Sequence, residues 1–80
     1  MRILFFGSLG ASLGRELLLD LRGPRTVADV RRELVRLHPH SAGDLDAARA
    51  RACVNDAMSE EEHLVGPADE IAFFPPLSGG

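Results

Sequence analysis

The residues at the end of this 80-residue chain with the clearest chemical potential are Gly79 and Gly80. A Gly-Gly ending presents a free carboxylate with no side chain on either residue, so it can pass close to foreign backbone. A carboxylate is a poor electrophile, and chemistry at Gly80 requires activation, typically as an acyl adenylate made by a partner with ATP. Pro75-Pro76 stands just before the tail and restrains the backbone where the chain leaves its last element, so that the tail projects rather than folding back. The four residues Leu77, Ser78, Gly79 and Gly80 extend at most roughly 13 Å, enough to thread a narrow channel in another protein. Taken alone, the dipeptide also fits a frayed glycine-rich end.

Other candidate groups make weaker constellations. Cys53 lies in an apolar run with Arg51 as its one cationic neighbour, which predicts a buried, inert thiol rather than a persulfide or thioester site. His38, His40 and His63 with one cysteine do not make a metal-ligand spacing, and His38-Pro39-His40 reads as a solvated helix end. Asp69 and Glu70 are adjacent on an extended segment and face opposite ways, which suits no acid–base pair. The segment 7–14 has three glycines but no lysine and no strand-to-helix context for a phosphate cradle. No metal and no cofactor bound by the chain itself are expected.

Composition narrows the class further. Hydrophobic residues make up 45% and charged residues 26% of the chain, a globular balance for a single domain. All nine basic residues are arginine. The absence of lysine excludes a Walker-type phosphate loop, a Schiff-base lysine and a lysine general base within these residues, and the chain cannot carry a lysine isopeptide bond to itself. A net charge of −3 without a basic cluster argues against nucleic acid as the partner. No apolar run reaches the length of a membrane span, and one cysteine suits a reducing compartment. Residues 1–6 read as a first strand rather than a leader, so the expected location is cytoplasmic.

The elements that must position the terminus follow from periodicity and turn signals. Residues 2–6 form an aromatic-rich strand ending at Gly7, 7–14 a connecting loop, and 15–21 a second strand ending at Gly23-Pro24. Thr26 is an N-cap with Asp29 three residues on, and Val27, Val30, Leu34 and Leu37 recur at helical spacing until Pro39. Arg31, Arg32, Glu33 and Arg36 fall mostly on the opposite, solvated face. Residues 40–49 read as loop with a helical turn. Two strand pieces flank the turn at Asn55-Asp56, Glu60-Glu61-Glu62 reads as an exposed acidic patch, and the turn at 66–69 leads into a last strand over 70–74. The order is β-β-α-β-β, an α+β fold with one main helix on one sheet face. Residues 1–76 are expected to form the domain and 77–80 a flexible tail. In the last strand Ile71 and Phe73 share one face and Ala72 and Phe74 the other; in the first, Ile3 and Phe5 alternate with Leu4 and Phe6. One helix covers one face, which predicts an exposed apolar patch beside the tail.

At these residues the chain resembles the small subunit of molybdopterin synthase, the MoaD-type sulfur carriers. Residues 69–80, Asp-Glu-Ile-Ala-Phe-Phe-Pro-Pro-Leu-Ser-Gly-Gly, are similar to that family's closing motif. Ala52-Cys53-Val54-Asn55, Ile3-Leu4-Phe5-Phe6 and the Thr26-Val27 helix start also fit. The resemblance implies a ubiquitin-like β-grasp fold with a mixed sheet, its last strand parallel beside its first. It implies that Gly80, with Gly79, is adenylated by a ubiquitin-activating-like adenylyltransferase using ATP and receives sulfur from a donor system as a thiocarboxylate. The tail then enters the large subunit of molybdopterin synthase, in a heterotetramer, and gives sulfur to cyclic pyranopterin monophosphate in molybdenum cofactor biosynthesis. In that assembly the chain is the sulfur-donating subunit, with the catalytic residues on the large subunit. Carried over residue by residue, partner contacts fall on Phe6, Met58, Phe74, Pro75, Pro76, Leu77 and Ser78. The chain departs from the family in its first loop, which lacks the arginine and acidic residues common there. Ala68 stands where a glycine usually precedes the Asp-Glu pair, and if that position needs positive φ the alanine costs about 1 kcal/mol. Two alternatives stay open: a carrier for another recipient (thiamin thiazole, cysteine or protein modification), and a β-grasp interaction module whose glycines are only an end.

Overall fold

Alternation of apolar residues at the two ends of the chain builds the centre of the sheet. The computed structural model describes residues 1–76; Leu77, Ser78, Gly79 and Gly80, where several of the expectations above fall, lie outside the described residues. Strand β1 (Arg2–Phe5) and strand β7 (Glu70–Phe74) pair in parallel, with Ile3 opposite Ile71 and Phe5 opposite Phe73. All four of these side chains are buried, and the Phe5 and Phe73 rings stack with centroids 6.1 Å apart. β2 (Glu16–Leu18) pairs antiparallel with β1, and β4 (Arg51–Val54) with β7. β5 (Ala57–Met58) closes the far edge, giving the mixed order β2-β1-β7-β4-β5. This is the α+β, ubiquitin-like β-grasp fold expected from the sequence.

The main helix, α2 (Val27–Leu37), starts where the capping residues predict. Thr26 Oγ1 accepts from the Asp29 backbone N–H, and Asp29 returns a bond to the Thr26 N–H, a reciprocal cap that satisfies two otherwise free donors. The Thr26 backbone bond, followed by the Arg32 and Thr26 side chains, holds the Asp29 carboxyl below its ordinary value. Val27, Val30 and Leu34 pack on the sheet face carrying Ile3, Phe5, Ala52, Val54, Ile71 and Phe73. The helix ends at Leu37, and Pro39 opens a short 3-10 turn (Pro39–Ser41).

Four features depart from the sequence reading, each through tertiary contact. The segment taken as a loop contains a short helix, α1 (Ser8–Leu13), bounded by Gly7 and Gly14 at positive φ and anchored by buried Leu9. Leu9 and Leu13, four apart, were the signal for it. The second strand is shorter than 15–21, although Met1 and Leu19 continue the pairing through two backbone bonds of 2.8 Å. A separate two-stranded ribbon joins β3 (Arg25–Thr26) to β6 (Leu64–Val65), neither long enough to show a pattern in sequence.

The fourth departure is Arg31, which is buried rather than on the solvated helix face. Its Nε and Nη2 donate to the two oxygens of Glu61 at 2.9 and 2.8 Å, and Nη1 donates to the carbonyls of Leu45 and Ala50 at 2.7 and 2.8 Å. The guanidinium carbon lies 5.1 Å from the centroid of the Phe73 ring, within cation–π range. Glu61 is therefore not part of a purely exposed acidic patch. Replacing Arg31 with Met is expected to destabilise the fold by about 2–4 kcal/mol, because two carbonyls and a half-buried carboxylate lose their donor. Equilibrium urea unfolding measures it, and a change within error would show the cluster to be dispensable.

Candidate functional site

The side chains that point away from α2 define the surface beside which Pro75 and Pro76 leave the sheet. β1 offers Leu4, β7 offers Ala72 and Phe74, β4 offers Arg51 and Cys53, and β5 offers Met58. The register aligns Leu4, Ala72, Cys53 and Met58 in one row across four strands. Phe74 stands beside Arg51 in the neighbouring row. Phe6, one step beyond the Phe5–Phe73 pair, donates its backbone N–H to the Phe73 carbonyl at 2.9 Å. Phe6 is 52% and Met58 58% exposed, and Phe74 is half-buried. The alternation expected from sequence therefore holds in both strands, and three of the seven expected contact positions, Phe6, Met58 and Phe74, lie on one open face.

Phe6 and Phe74, with Arg51 beside Phe74, stand at the end where Pro75 and Pro76 leave the sheet. At the opposite end Arg2 bridges Glu16 and Glu70, with N–O distances of 3.1 and 3.0 Å. Gly7 meets the start of the exit: a Cβ there would come within 2.9 Å of the Pro75 ring. The Gly7 backbone, with φ of 61° and ψ of −141°, occupies a region that side chains avoid, so Pro75 packs directly on bare backbone.

Cys53 corrects the sequence reading. It is half-buried on the open face rather than in the core, with Sγ 3.5 Å from Met58 Sδ. Its neighbours across the sheet, Ala72 and Met58, are apolar. Among the described residues no group of three or more His, Cys, Asp or Glu side chains could hold a metal, and no helix is long and apolar enough to cross a membrane.

A polar clasp that the sequence did not reveal fixes the start of β7. Asn55 and Asp56 both take positive φ in the two-residue β4–β5 turn, the geometry that suits a hairpin. Asn55 Nδ2 then donates to Asp69 Oδ1 at 2.9 Å, while Asn55 Oδ1 accepts from the Glu70 N–H at 3.0 Å. The other Asp69 oxygen accepts from the Gly66 N–H at 2.7 Å. Ala68 is not among the residues at positive φ, so the alanine in this turn carries no left-handed strain. Asparagine and aspartate at turn positions were visible in sequence, but their pairing across fourteen residues was not.

Against known proteins, the sequence profile of the ThiS family matches residues 3–80. The chain belongs to the ThiS family. It is a ubiquitin-like β-grasp sulfur-carrier protein, a non-catalytic carrier of a sulfurtransferase-type system. Among relatives, it is 28% identical over 80 residues to the molybdopterin synthase sulfur carrier subunit of Escherichia coli K12, covering 100% of this chain and 99% of that one. Among solved structures it is similar to SAMP1 from Haloferax volcanii, with a TM-score of 0.83, 28% identity, and coverage of 99% of this chain and 97% of that one. A second structure, small archaeal modifier protein 1 from H. volcanii, matches with a TM-score of 0.81 and 25% identity over 95% of both chains.

The Asp69 clasp has a pH signature. The Gly66 backbone bond, then the Asn55 side chain and the nearby His63, hold the Asp69 carboxyl below its ordinary value. A carboxyl lowered by folding contributes stability above its unfolded pKa and loses it as pH falls through the folded one. Asp69→Ala is therefore expected to lower the urea midpoint at neutral pH. The gap from the parent should narrow below about pH 4. A gap independent of pH would count against an ionic clasp.

Proposed function

We propose that this ThiS-family chain carries sulfur on the carboxyl group of Gly80. An ATP-dependent activating enzyme of the ubiquitin-activating type adenylates the terminus, and a sulfur donor displaces AMP to leave a thiocarboxylate. The observation that carries the reading is that Pro75 and Pro76, which precede the Gly-Gly ending in sequence, leave the sheet beside the apolar residues Phe6, exposed, and Phe74, half-buried, on the face that also carries Met58. A partner seated on that face receives the tail in its own active site, where Leu77 and Ser78 line the entry and Gly79 passes a narrow point. The domain supplies recognition, and the partner supplies the catalysis.

The recipient is read broadly. The family match and the likeness to the Haloferax modifier proteins support a carrier serving thiazole formation, cysteine formation or protein modification. A narrower reading, delivery to cyclic pyranopterin monophosphate through the molybdopterin synthase large subunit, is supported by the Phe-Phe-Pro-Pro-x-x-Gly-Gly ending and by the likeness to the E. coli subunit. Conversion of the pyranopterin by the loaded protein plus a large subunit selects the narrower reading; failure with an otherwise loaded protein selects the broader one.

Incubation with the activating enzyme, ATP and a sulfur source is expected to produce an oxygen-to-sulfur mass shift located at Gly80. Deletion of Gly79-Gly80 should abolish the shift and leave the unfolding midpoint unchanged. Sulfur-transfer activity that survives the deletion would return the chain to the class of plain interaction modules. Phe6→Glu tests the face separately: loading should drop by at least about tenfold, the loss of roughly 1.4 kcal/mol or more of docking energy, with little effect on stability because Phe6 is already solvated. Loading at the parent rate would remove Phe6 from the docking surface.

A further inference from the structure

We infer that the activating enzyme meets the open face with carboxylates set around an apolar seat, because Arg15 and Arg51, each without an ion-paired carboxylate of its own, flank Phe6 and Phe74. The inference rests on the carrier reading above and names the chemistry of the surface that the partner turns toward this chain.

Carboxylates are not scarce here, since the sequence has 12 acidic side chains against nine arginines. Arg2, Arg22, Arg31, Arg32 and Arg36 each have at least one within ion-pair distance. Among the described residues Arg15, Arg25, Arg49 and Arg51 do not. Arg25 lies in a cleft on the helix side with Asp20, Asp29 and Glu33, and Arg49 lies in the turn that leads into β4. Topology brings Arg15 and Arg51 to the exit end, because β2 and β4, the antiparallel neighbours of the central pair, both begin there. Arg15 comes just before β2, its carbonyl accepting the Phe5 N–H at 3.0 Å. Arg51 is the first residue of β4, opposite Phe74. Both arginines are exposed. At the other end of the face Arg2 is already held between Glu16 and Glu70.

The surroundings of each arginine suit it to recognition. Arg15 lines a cleft of about 650 Å³ with Leu4, Phe6, Gly10 and Ala11, which has room for an apolar partner side chain beside a carboxylate. Glu16 borders the same cleft, but Arg2 takes its carboxylate at 3.1 Å. Away from Phe74, Arg51 shares a second cleft with Glu60, Glu61 and Glu62. Glu61 is held there by Arg31, and neither Glu60 nor Glu62 comes within ion-pair distance of Arg51. A partner that covers Phe6 and Phe74 strips water from both guanidinium groups. A neutral apolar partner surface would return nothing for that loss, whereas carboxylates match the planar guanidinium fork. The chain's net charge of −3 opposes an acidic partner, so attraction has to come from these local charges. Salt screens such contacts over roughly 8–10 Å, which gives the inference a sign that can be read.

The test follows loading of the full chain by an activating enzyme with intact mass, at low and high sodium chloride. The parent KM is expected to rise with salt. Arg15→Gln with Arg51→Gln should raise KM at low salt by at least about tenfold, keep kcat within about twofold, and flatten or reverse the salt response. Arg22→Gln with Arg25→Gln removes the same charge elsewhere and should keep the parent KM within about twofold and its salt response. The urea midpoint of the first pair should match the parent, since neither side chain is ion-paired. A parent-like KM in the first pair overturns the inference, as does an equal loss in the second. A midpoint that falls together with KM also overturns it, by making the two arginines structural. So does a salt-sensitive dimer of the parent that the first pair abolishes, because the acidic surface would then belong to a second copy. A parent that takes up no sulfur sinks the carrier reading and this inference with it; a loaded parent indifferent to both arginines sinks the inference alone.

Discussion

The parallel pairing of β1 with β7 is the constraint on which the remainder depends. Parallel neighbours cannot be joined by a tight turn, so nearly the whole chain must lie between them as crossover. The intervening residues include α2, which packs on the face carrying Ile3, Phe5, Ile71 and Phe73. Putting the first and last strands at the sheet's centre buries both. It also sends residues 75 and 76 out of the end where Phe6 stands. The same direction of travel keeps Met1 at the far end. Exit, patch and separation of the termini are three consequences of one ladder.

Arg31 joins that centre to the irregular part of the chain. Four hydrogen bonds tie it to Glu61, Leu45 and Ala50, and its guanidinium lies against the Phe73 ring. The segments between α2 and β6 contain little regular structure, and their backbone needs partners when buried. A buried arginine satisfies several at once because its donors form a planar fork. The Asn55–Asp69 clasp acts similarly at the start of β7. The clasp lies at the start of β7 and the Arg31 cluster on the helix-covered face against Phe73, so neither uses the side chains of Phe6, Phe74 or Met58.

The open face itself is economical. A five-stranded sheet with one main helix leaves one side uncovered, and this chain places Phe6 and Phe74 near the exit and the Arg2 ion pairs, beside exposed Leu18, at the opposite end. An apolar surface in that position is costly in water unless something covers it. Cys53 lies within this surface beside Met58, which makes it an ordinary apolar contributor to the face.

Sequence by itself determined the alternation in β1 and β7, the capped start and proline stop of α2, the turn at Asn55-Asp56 and the chemistry open to a Gly-Gly terminus. These are local properties: side-chain period, backbone torsions and residue chemistry depend on neighbours a few positions away. The absence of lysine belongs here too, since composition needs no fold. Tertiary structure alone decided the burial of Arg31, the β3–β6 ribbon and the position of Cys53. Each depends on partners distant along the chain, such as Glu61 for Arg31 and Leu64 for Thr26. An arginine on a helix reads as solvated until an acceptor is brought to it, and a two-residue strand has no period to detect. The distance between Met1 and the exit was likewise undecided until the parallel register placed them at opposite ends of the sheet.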